Sequence, residues 1–195
     1  YEIILNKLQS MLENQINYNE NQWQKEILDI IQLLYPKYIA AFDGVPIKDI
    51  NYGNRELDFI LIDSNGNIDV AEIKRPFDKC IVSHSQYRDN YIPLRELSGS
   101  IMQVEKYIYY LNKWGNKGEE ILTKRFSDKI PQGLMLRITN PGGIIIMGRE
   151  INLSKEQLAD FEIIKRKYKN IIDIITYDDL ISRIHMLLTK FSLFQ

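Results

Sequence analysis

Asp58, Glu72 and Lys74 lie in the segment DFILIDSNGNIDVAEIKRP, which begins at Asp58, and their residue types suit metal-assisted chemistry. Asp58 opens the first of two apolar runs, and Glu72 and Lys74 end the second run. Two carboxylates in apolar surroundings are costly without a compensating cation, because like charges at short range raise the pKa of one group. Mg²⁺ prefers such hard oxygen ligands, keeps part of its water shell and accepts phosphate oxygens. With Lys74 beside them to hold or activate water, the two acids could hydrolyse a phosphodiester.

The loop that joins the two apolar runs decides whether the two acids meet. In an antiparallel hairpin, directly opposed residues share a face of the sheet. A two-residue turn of Asn65 and Gly66 would set Asp58 opposite Ile73 and separate the acids. A loop of three residues, with Gly66 in the left-handed conformation, would set Asp58 opposite Glu72 instead. We favour the three-residue loop of residues 64–66.

This register gives the predicted hairpin two consistent faces. The residues expected beside the acids are Ile60, Ile62, Ile68 and Val70. Those expected on the opposite face are Leu57, Phe59, Leu61, Ala71 and Ile73. Lys74 shares the face of Glu72, because side chains in a strand alternate with a period of two.

An acid, one spacer and a lysine also occur by chance in many sequences. In this alternative, Glu72 and Lys74 form an ordinary solvated ion pair at a sheet edge, and Asp58 caps a turn. The apolar flanks favour the site, because Glu56 is the only other charge expected on that face.

Hydrophobic periodicity predicts a mixed α/β sandwich that positions these residues. Helices are expected in two N-terminal stretches that join near 17–19, over 93–115, around 118–126, over 154–170 and in the later part of 171–191. Strands are expected within 37–45, near 56–63 and 68–74, in the runs GLMLRI and GGIIIMG, and at the start of 171–191. Residues 75–92 show no period and predict a loop long enough to be functional. We therefore expect a single domain over 1–195, with a helical lead-in over about 1–16.

Composition excludes several classes of protein. A chain of 195 residues that is 45% hydrophobic and 26% charged can bury one substantial core. The formal net charge of −1 is not that of a generally basic nucleic-acid binder, so contact with nucleic acid would need a local patch. The single cysteine, Cys80, excludes an internal disulfide and fits a reducing cytoplasm. No apolar stretch approaches the roughly 20 residues that span a bilayer, so we expect a cytoplasmic protein without membrane contact.

The residues ELDF and VAEIKRP resemble the D…ExK core of the PD-(D/E)xK nuclease superfamily, with Asp58, Glu72 and Lys74 at the three core positions. Gln103 and Tyr107 in QVEKY resemble the Gln-x-x-x-Tyr element of many of these nucleases. The segments ENQWQKEIL, RITNPGGIIIMGR and YDDLISR resemble the domain of Shedu-type anti-phage defence nucleases. This second resemblance spans about 20–184.

The resemblance implies a fold and an activity. The fold would be a restriction-endonuclease-like mixed sheet flanked by helices, with a core of helix, three strands, helix and strand and an additional C-terminal helix, strand and helix. The activity would be a DNA endonuclease that depends on Mg²⁺, with Mn²⁺ able to substitute, in bacterial anti-phage defence. A homo-oligomer is implied as well, and so is an N-terminal sensing region in the same full-length protein.

The resemblance also implies roles for individual residues. Asp58, Glu72, the backbone carbonyl of Ile73 and an acid on the first core helix, either Glu20 or Glu26, would hold the metal. Lys74 would activate water, and Gln103 would contact the water or the scissile phosphate.

Four basic residues in and around the predicted long loop flank the proposed site and could follow a DNA backbone. They are Arg75, Lys79, Arg88 and Arg95. The alternative for these residues is a merely solvated loop. Two alternatives remain for the domain as a whole: a catalytically silent DNA-binding or oligomerisation module, and another restriction or repair nuclease of the same superfamily.

Overall fold

The computed structural model of the chain describes residues 1–14, 18–48, 53–76 and 81–192. These residues form five helices and five strands in a mixed α/β arrangement. In chain order the elements are α1 (Glu2–Glu13), α2 (Glu20–Leu34), β1 (Tyr38–Lys48), β2 (Asn54–Asp63), β3 (Ile68–Ile73), α3 (Arg95–Phe126), β4 (Gly143–Ile146), α4 (Lys155–Tyr168), β5 (Ile172–Ile175) and α5 (Tyr177–Ser192). None of the described helices is both long and apolar enough to cross a membrane.

The sheet changes from antiparallel to parallel at β3. Its strands lie in the order β1-β2-β3-β4-β5, which is also their order in the sequence. β1, β2 and β3 pair antiparallel, because short connections reverse the chain direction. β4 and β5 run parallel to β3, since α3 and α4 each carry the chain back before the next strand begins.

Helices cover both faces of the sheet. On one face, α3 and Phe161 of α4 pack against Ile60, Ile62 and Val70. On the other face, α1, α2 and α5 pack against Phe59, Leu61 and their neighbours. All four residues of β4 are buried, as expected for an inner strand covered on both sides.

The helix starts follow local rules that the sequence displays. Asn19 caps α2 and Ser154 caps α4, and in each case a glutamine three residues later, Gln22 or Gln157, completes the capping box. The helix end predicted at Gly115 is present as a kink, where Gly115 takes φ +50° and ψ −140° inside α3. The two predicted helices on either side of it therefore form one broken helix.

The strand predicted in GLMLRI is absent from the described structure. Arg137 makes a single bridge to Asn67, and no ladder follows. Side chains of α3 accept the neighbouring backbone donors instead: Leu136 N donates to Thr123 Oγ1 (2.9 Å), and Ile138 N donates to Glu119 Oε1 (2.6 Å). The prediction is wrong because these amides pair with a helix surface, which the apolar pattern of the run does not reveal.

The first strand is longer than the sequence predicts. β1 continues to Lys48, past the Asp43 and Gly44 breaker that was expected to end it. Gly44 adopts φ +56° within the strand, and the pairing with β2 continues on both sides of it, so the breaker does not terminate β1.

Candidate active site

The hairpin of β2 and β3 has the register that brings the two acids together. Phe59 pairs with Ala71 and Ile62 with Ile68, so continuation of this register sets Asp58 opposite Glu72. The loop has three residues, 64–66, and Gly66 takes φ +83°. This confirms the loop length and the left-handed glycine predicted from the sequence.

The Asp63 side chain holds this loop closed. Its carboxylate accepts hydrogen bonds from the backbone amides of Asn65 (2.8 Å) and Asn67 (2.9 Å). These bonds lower the pKa of Asp63, against the opposing effect of desolvation. The register therefore depends on contacts within five residues of chain.

One residue lies on a different face from the prediction. Leu57 packs in the core that contains Ile60, whereas Phe59 packs in the core on the other side of the sheet. Strict alternation would place Leu57 with Phe59. The alternation breaks at Asp58, beside Gly44 of β1, which takes the left-handed φ of +56°.

Glu72 is the most deeply buried acid of the site, with no exposed surface. Its Oε2 accepts a hydrogen bond from Gln103 Nε2 (3.0 Å). Its Oε1 lies 2.5 Å from Lys74 Nζ but receives no hydrogen bond of good geometry from any described residue. Burial raises the pKa of Glu72 to about 7, and the charge of Asp58 adds to this, although Lys74 opposes it.

Lys74 is cationic in this arrangement. Burial alone would lower its pKa, but the hydrogen bond and charge of Glu72, with the charges of Asp58 and Glu20, raise it above the ordinary value. The side chain remains 34% exposed, so the ammonium group reaches the solvent side of the site. A protonated lysine cannot accept a proton from water, but it can stabilise negative charge.

Gln103 connects the acid to α3. Its Nε2 donates both to Glu72 and to the hydroxyl of Tyr107 (3.0 Å), one turn further along the helix. Burial raises the pKa of Tyr107, which therefore keeps its proton at neutral pH. The structure thus links the two residues of the Gln-x-x-x-Tyr element to each other and to Glu72.

Two helices anchor the backbone that carries Glu72 and Lys74. Gln24 Nε2 of α2 donates to the carbonyl oxygen of Ile73 (3.1 Å). The Tyr177 hydroxyl at the start of α5 donates to the carbonyl oxygen of Lys74 (2.5 Å), and Trp23 Nε1 donates to that hydroxyl (2.5 Å). Sequence reasoning did not find these residues, because each lies at least 49 positions from the carbonyl that it contacts.

A cleft of about 510 Å³ opens beside Lys74. The residues that line it are Glu20, Lys74, Arg75, Arg95, Glu96, Gly99, Ser100, Gln103 and Met147. Glu20 is therefore on the cleft, whereas its rival Glu26 forms an ion pair with Lys7 on the outer side of α2.

The four predicted DNA-binding residues divide between three places. Arg75 and Arg95 line the cleft, and Arg88 lies outside its lining, exposed and stacked over the ring of Tyr87. Lys79 lies outside the residues that the structure describes. Of these four residues, Arg75 and Arg95 are thus placed on the cleft beside Lys74.

Asp58 lines a second cleft of about 610 Å³ on the α2 side, together with Gln24, Asp43 and Glu56. Among the described residues, no group of three or more His, Cys, Asp or Glu side chains is gathered as a metal cluster. The acidic part of the candidate metal site is therefore the pair of Asp58 and Glu72. A buried carboxylate oxygen without a hydrogen bond, beside a second carboxylate, fits a divalent cation that takes its remaining ligands from water.

Comparison with protein families identifies the family of the chain. The family model described as "Shedu protein SduA, C-terminal" matches residues 17–181. The chain belongs to this family. The match spans all five strands and includes Glu20, Asp58, Glu72, Lys74 and Gln103. A search of curated proteins returned no match.

The region that the Shedu family model matches includes the candidate site but not the first helix. α1 lies before the matched region, whereas α2, which contributes Glu20, Trp23 and Gln24, lies within it. Tyr177 falls near the end of the match. Gln24, Gln103 and Tyr177, which donate hydrogen bonds to this part of β3, therefore all lie in the matched region.

Proposed function

We propose that this Shedu-family domain is a metal-dependent DNA endonuclease that acts in anti-phage defence. The observation that carries the proposal is the buried Glu72 carboxylate, whose Oε1 lies 2.5 Å from Lys74 Nζ but lacks a hydrogen bond of good geometry. Asp58 lies beside this carboxylate, and Lys74 lines a cleft with two arginines. Family membership supports the role in defence. The mixed five-stranded sheet supports a restriction-endonuclease-like fold, which is part of the proposal.

The proposed setting of the activity follows from the same resemblance. We propose a cytoplasmic homo-oligomer in which this domain works with an N-terminal sensing region. The family description as a C-terminal region supports a longer protein.

Asp58, Glu72 and the carbonyl of Ile73 would hold Mg²⁺, which supplies Lewis-acid activation of water and neutralises charge on the phosphate. The reaction joins a water oxygen to phosphorus and breaks the bond from phosphorus to one deoxyribose oxygen, which takes up a proton. The chain's own residues position the reactants for this step. Arg75 and Arg95 face the cleft where a phosphate would enter.

Lys74 and Gln103 have separate tasks in the proposed mechanism. The Lys74 ammonium, now 2.5 Å from Glu72 Oε1, would turn to the phosphate or the attacking water and stabilise the developing negative charge. Gln103 keeps Glu72 oriented through Oε2, so Oε1 stays directed at the site. Lys74 is thus a catalytic residue by charge, and Gln103 is a positioning residue in this structure.

Removal of the Lys74 ammonium tests the proposal. We expect the wild-type protein to nick or cut plasmid DNA with Mg²⁺ or Mn²⁺ and to lose this activity in EDTA. We expect Lys74→Ala to reduce cleavage by about 10²-fold or more while the protein remains folded. Supercoiled, linear and single-stranded DNA should be compared side by side, because the proposal leaves the DNA form open.

Lys129→Ala is the matched control, since Lys129 is an exposed lysine outside the cleft lining. The assay should also be run near pH 8.5, because loss of Lys74 removes a charge that opposes the raised pKa of Glu72. Undiminished cleavage by Lys74→Ala would refute the role of this lysine. If the protein binds DNA but cleaves it under none of these conditions, the result would support the silent-module alternative.

A further inference from the structure

The two strands that present the acids stop pairing just before them. In residues 53–76, the ladder of β2 and β3 ends at Phe59 and Ala71. Asp63 N donates to Asn67 O (3.1 Å) at the closed end of the hairpin. Hydrogen-bonded pairs alternate along an antiparallel ladder, so the next bonded pair after Phe59 and Ala71 would be Leu57 and Ile73.

Gln24 takes the place of this next ladder bond. Its Nε2 donates to the carbonyl oxygen of Ile73, the acceptor that continuation of the ladder would direct to Leu57. Leu57 has turned into the opposite core from Phe59 at the same step. Three features therefore coincide at one position of the hairpin: the pairing of β2 with β3 is lost, Leu57 turns to the other core, and Gln24 contacts the backbone.

The location of Gln24 connects this position to the site. Gln24 lies one helical turn after Glu20 on α2, and it lines the second cleft together with Asp58. A carbonyl oxygen has two acceptor positions, so the bond from Gln24 leaves one available to a metal ion. The same side chain thus touches the backbone between Glu72 and Lys74 and borders the carboxylate on the other strand.

We propose that Gln24 is a positioning residue that replaces a ladder bond, holds β2 and β3 apart at Asp58 and Glu72, and orients the Ile73 carbonyl for a divalent cation. Without it, the register would pair Leu57 with Ile73 and close the gap between the two acids. The inference rests on the proposed metal dependence, but it concerns the metal-binding step and not cleavage itself.

Gln24→Met tests the inference, because methionine keeps the length and helix propensity of glutamine and removes the donor. We expect the dissociation constant for Mn²⁺, measured by calorimetry without DNA, to rise about 10- to 100-fold. DNA affinity in EDTA should stay at the wild-type value, and kcat for cleavage should fall while KM for DNA does not change. Gln24→Lys, which keeps a donor at this position, should retain more Mn²⁺ affinity than Gln24→Met.

Gln32→Met is the matched control, since Gln32 lies about two turns further along α2 and lines the same second cleft. Equal Mn²⁺ affinity in Gln24→Met and wild type would overturn the inference. So would an equal loss in Gln24→Met and Gln32→Met, or an equal loss in Gln24→Met and Gln24→Lys. Mn²⁺ binding by the wild type without cleavage of any DNA would refute the proposed function alone, and absence of Mn²⁺ binding would refute both.

Discussion

The Glu72 carboxyl group has no exposed surface, yet the proposed function requires it to be charged when it holds a metal. Burial raises its pKa to about 7, and a single contact with Lys74 does not restore the ordinary value. In the proposed mechanism, the acid would therefore exchange a proton for a metal ion near neutral pH. Arg149 and Asp178, by contrast, satisfy each other through three hydrogen bonds.

Metal affinity should depend on pH through Glu72. Below pH 7 a proton competes with the metal, so we expect the Mn²⁺ affinity to fall by up to about tenfold for each pH unit below 7. Above pH 7 the dependence should flatten. Calorimetric titration with Mn²⁺ in about three buffers between pH 5.5 and 8.5 would measure the affinity at each pH. An affinity that does not change with pH would contradict the raised pKa.

Glu72 should also make the stability of the metal-free protein depend on pH. The folded-state pKa of about 7 exceeds the ordinary value of 4.5, so the folded protein binds this proton more strongly than the unfolded chain does. The stabilisation is complete below pH 4.5 and is lost as the pH rises through 7, by at most about 3 kcal/mol. In Glu72→Gln this pH dependence should be absent from the free energy of unfolding, measured by urea denaturation across the same pH range. Equal slopes in the two proteins would contradict the assignment to Glu72.

At the scale of elements, the hairpin of β2 and β3 depends on its three-residue loop. Gly66 supplies the left-handed conformation, and a Cβ atom at this position would also overlap the carbonyl oxygen of Met135. The loop is therefore constrained both by its own backbone and by the segment that packs on it.

Gly66→Ala should consequently destabilise the protein more than a left-handed conformation alone requires. Gly133 is the matched control, since it takes φ +81° with open space where a Cβ atom would be placed. We expect Gly133→Ala to cost about 1–2 kcal/mol of unfolding free energy and Gly66→Ala roughly twice as much. Chemical denaturation measures both, and equal losses would show that the contact with Met135 is unimportant.

The helices α2 and α5 act on the site through the backbone. α2 donates to Ile73 through Gln24, and α5 donates to Lys74 through Tyr177, whose hydroxyl is itself held by Trp23. The parallel partner of β3 completes the anchoring, because Lys74 N donates to the carbonyl of Ile146 (2.9 Å). The end of β3 is thus held from three elements, which limits the movement of the Lys74 side chain to its own rotatable bonds.

At the scale of the whole molecule, charge is nearly balanced, so the proposed DNA affinity would have to come from the local cations of the cleft. The net charge is −1, whereas Lys74, Arg75 and Arg95 lie together on the cleft lining. Each phosphate contact contributes about one unit to the slope of log affinity against log salt.

Arg95→Gln should therefore weaken DNA binding and reduce this slope by about 1. Arg166→Gln is the control, since Arg166 is exposed on α4, pairs with Glu162 and lies outside the cleft lining. Fluorescence anisotropy in EDTA over a salt series measures the slope without cleavage. A slope that is unchanged in Arg95→Gln, or equally reduced in Arg166→Gln, would exclude Arg95 from the DNA contact.

Features controlled by short-range geometry could be predicted from the sequence. The three-residue loop, the register that continues toward Asp58 and Glu72, and the break at Gly115 each depend on residues only a few positions apart or on local backbone preferences. The chain's apolar periodicity likewise predicted the layered α/β arrangement. The strand in GLMLRI was predicted wrongly, since its apolar pattern does not show that Thr123 and Glu119 accept its amides.

The sequence by itself therefore determined which acids meet and in which register, because a loop of three residues leaves little choice. Only the tertiary structure decided how the site is supported. Gln24 and Tyr177 reach the carbonyls of Ile73 and Lys74 through the docking of α2 and α5 on the sheet, across 49 and 103 positions of chain. Contacts at such separations depend on how whole helices pack, and no local pattern records that packing. The same holds for Leu57, whose turn into the opposite core accompanies the left-handed conformation of Gly44 in the neighbouring strand.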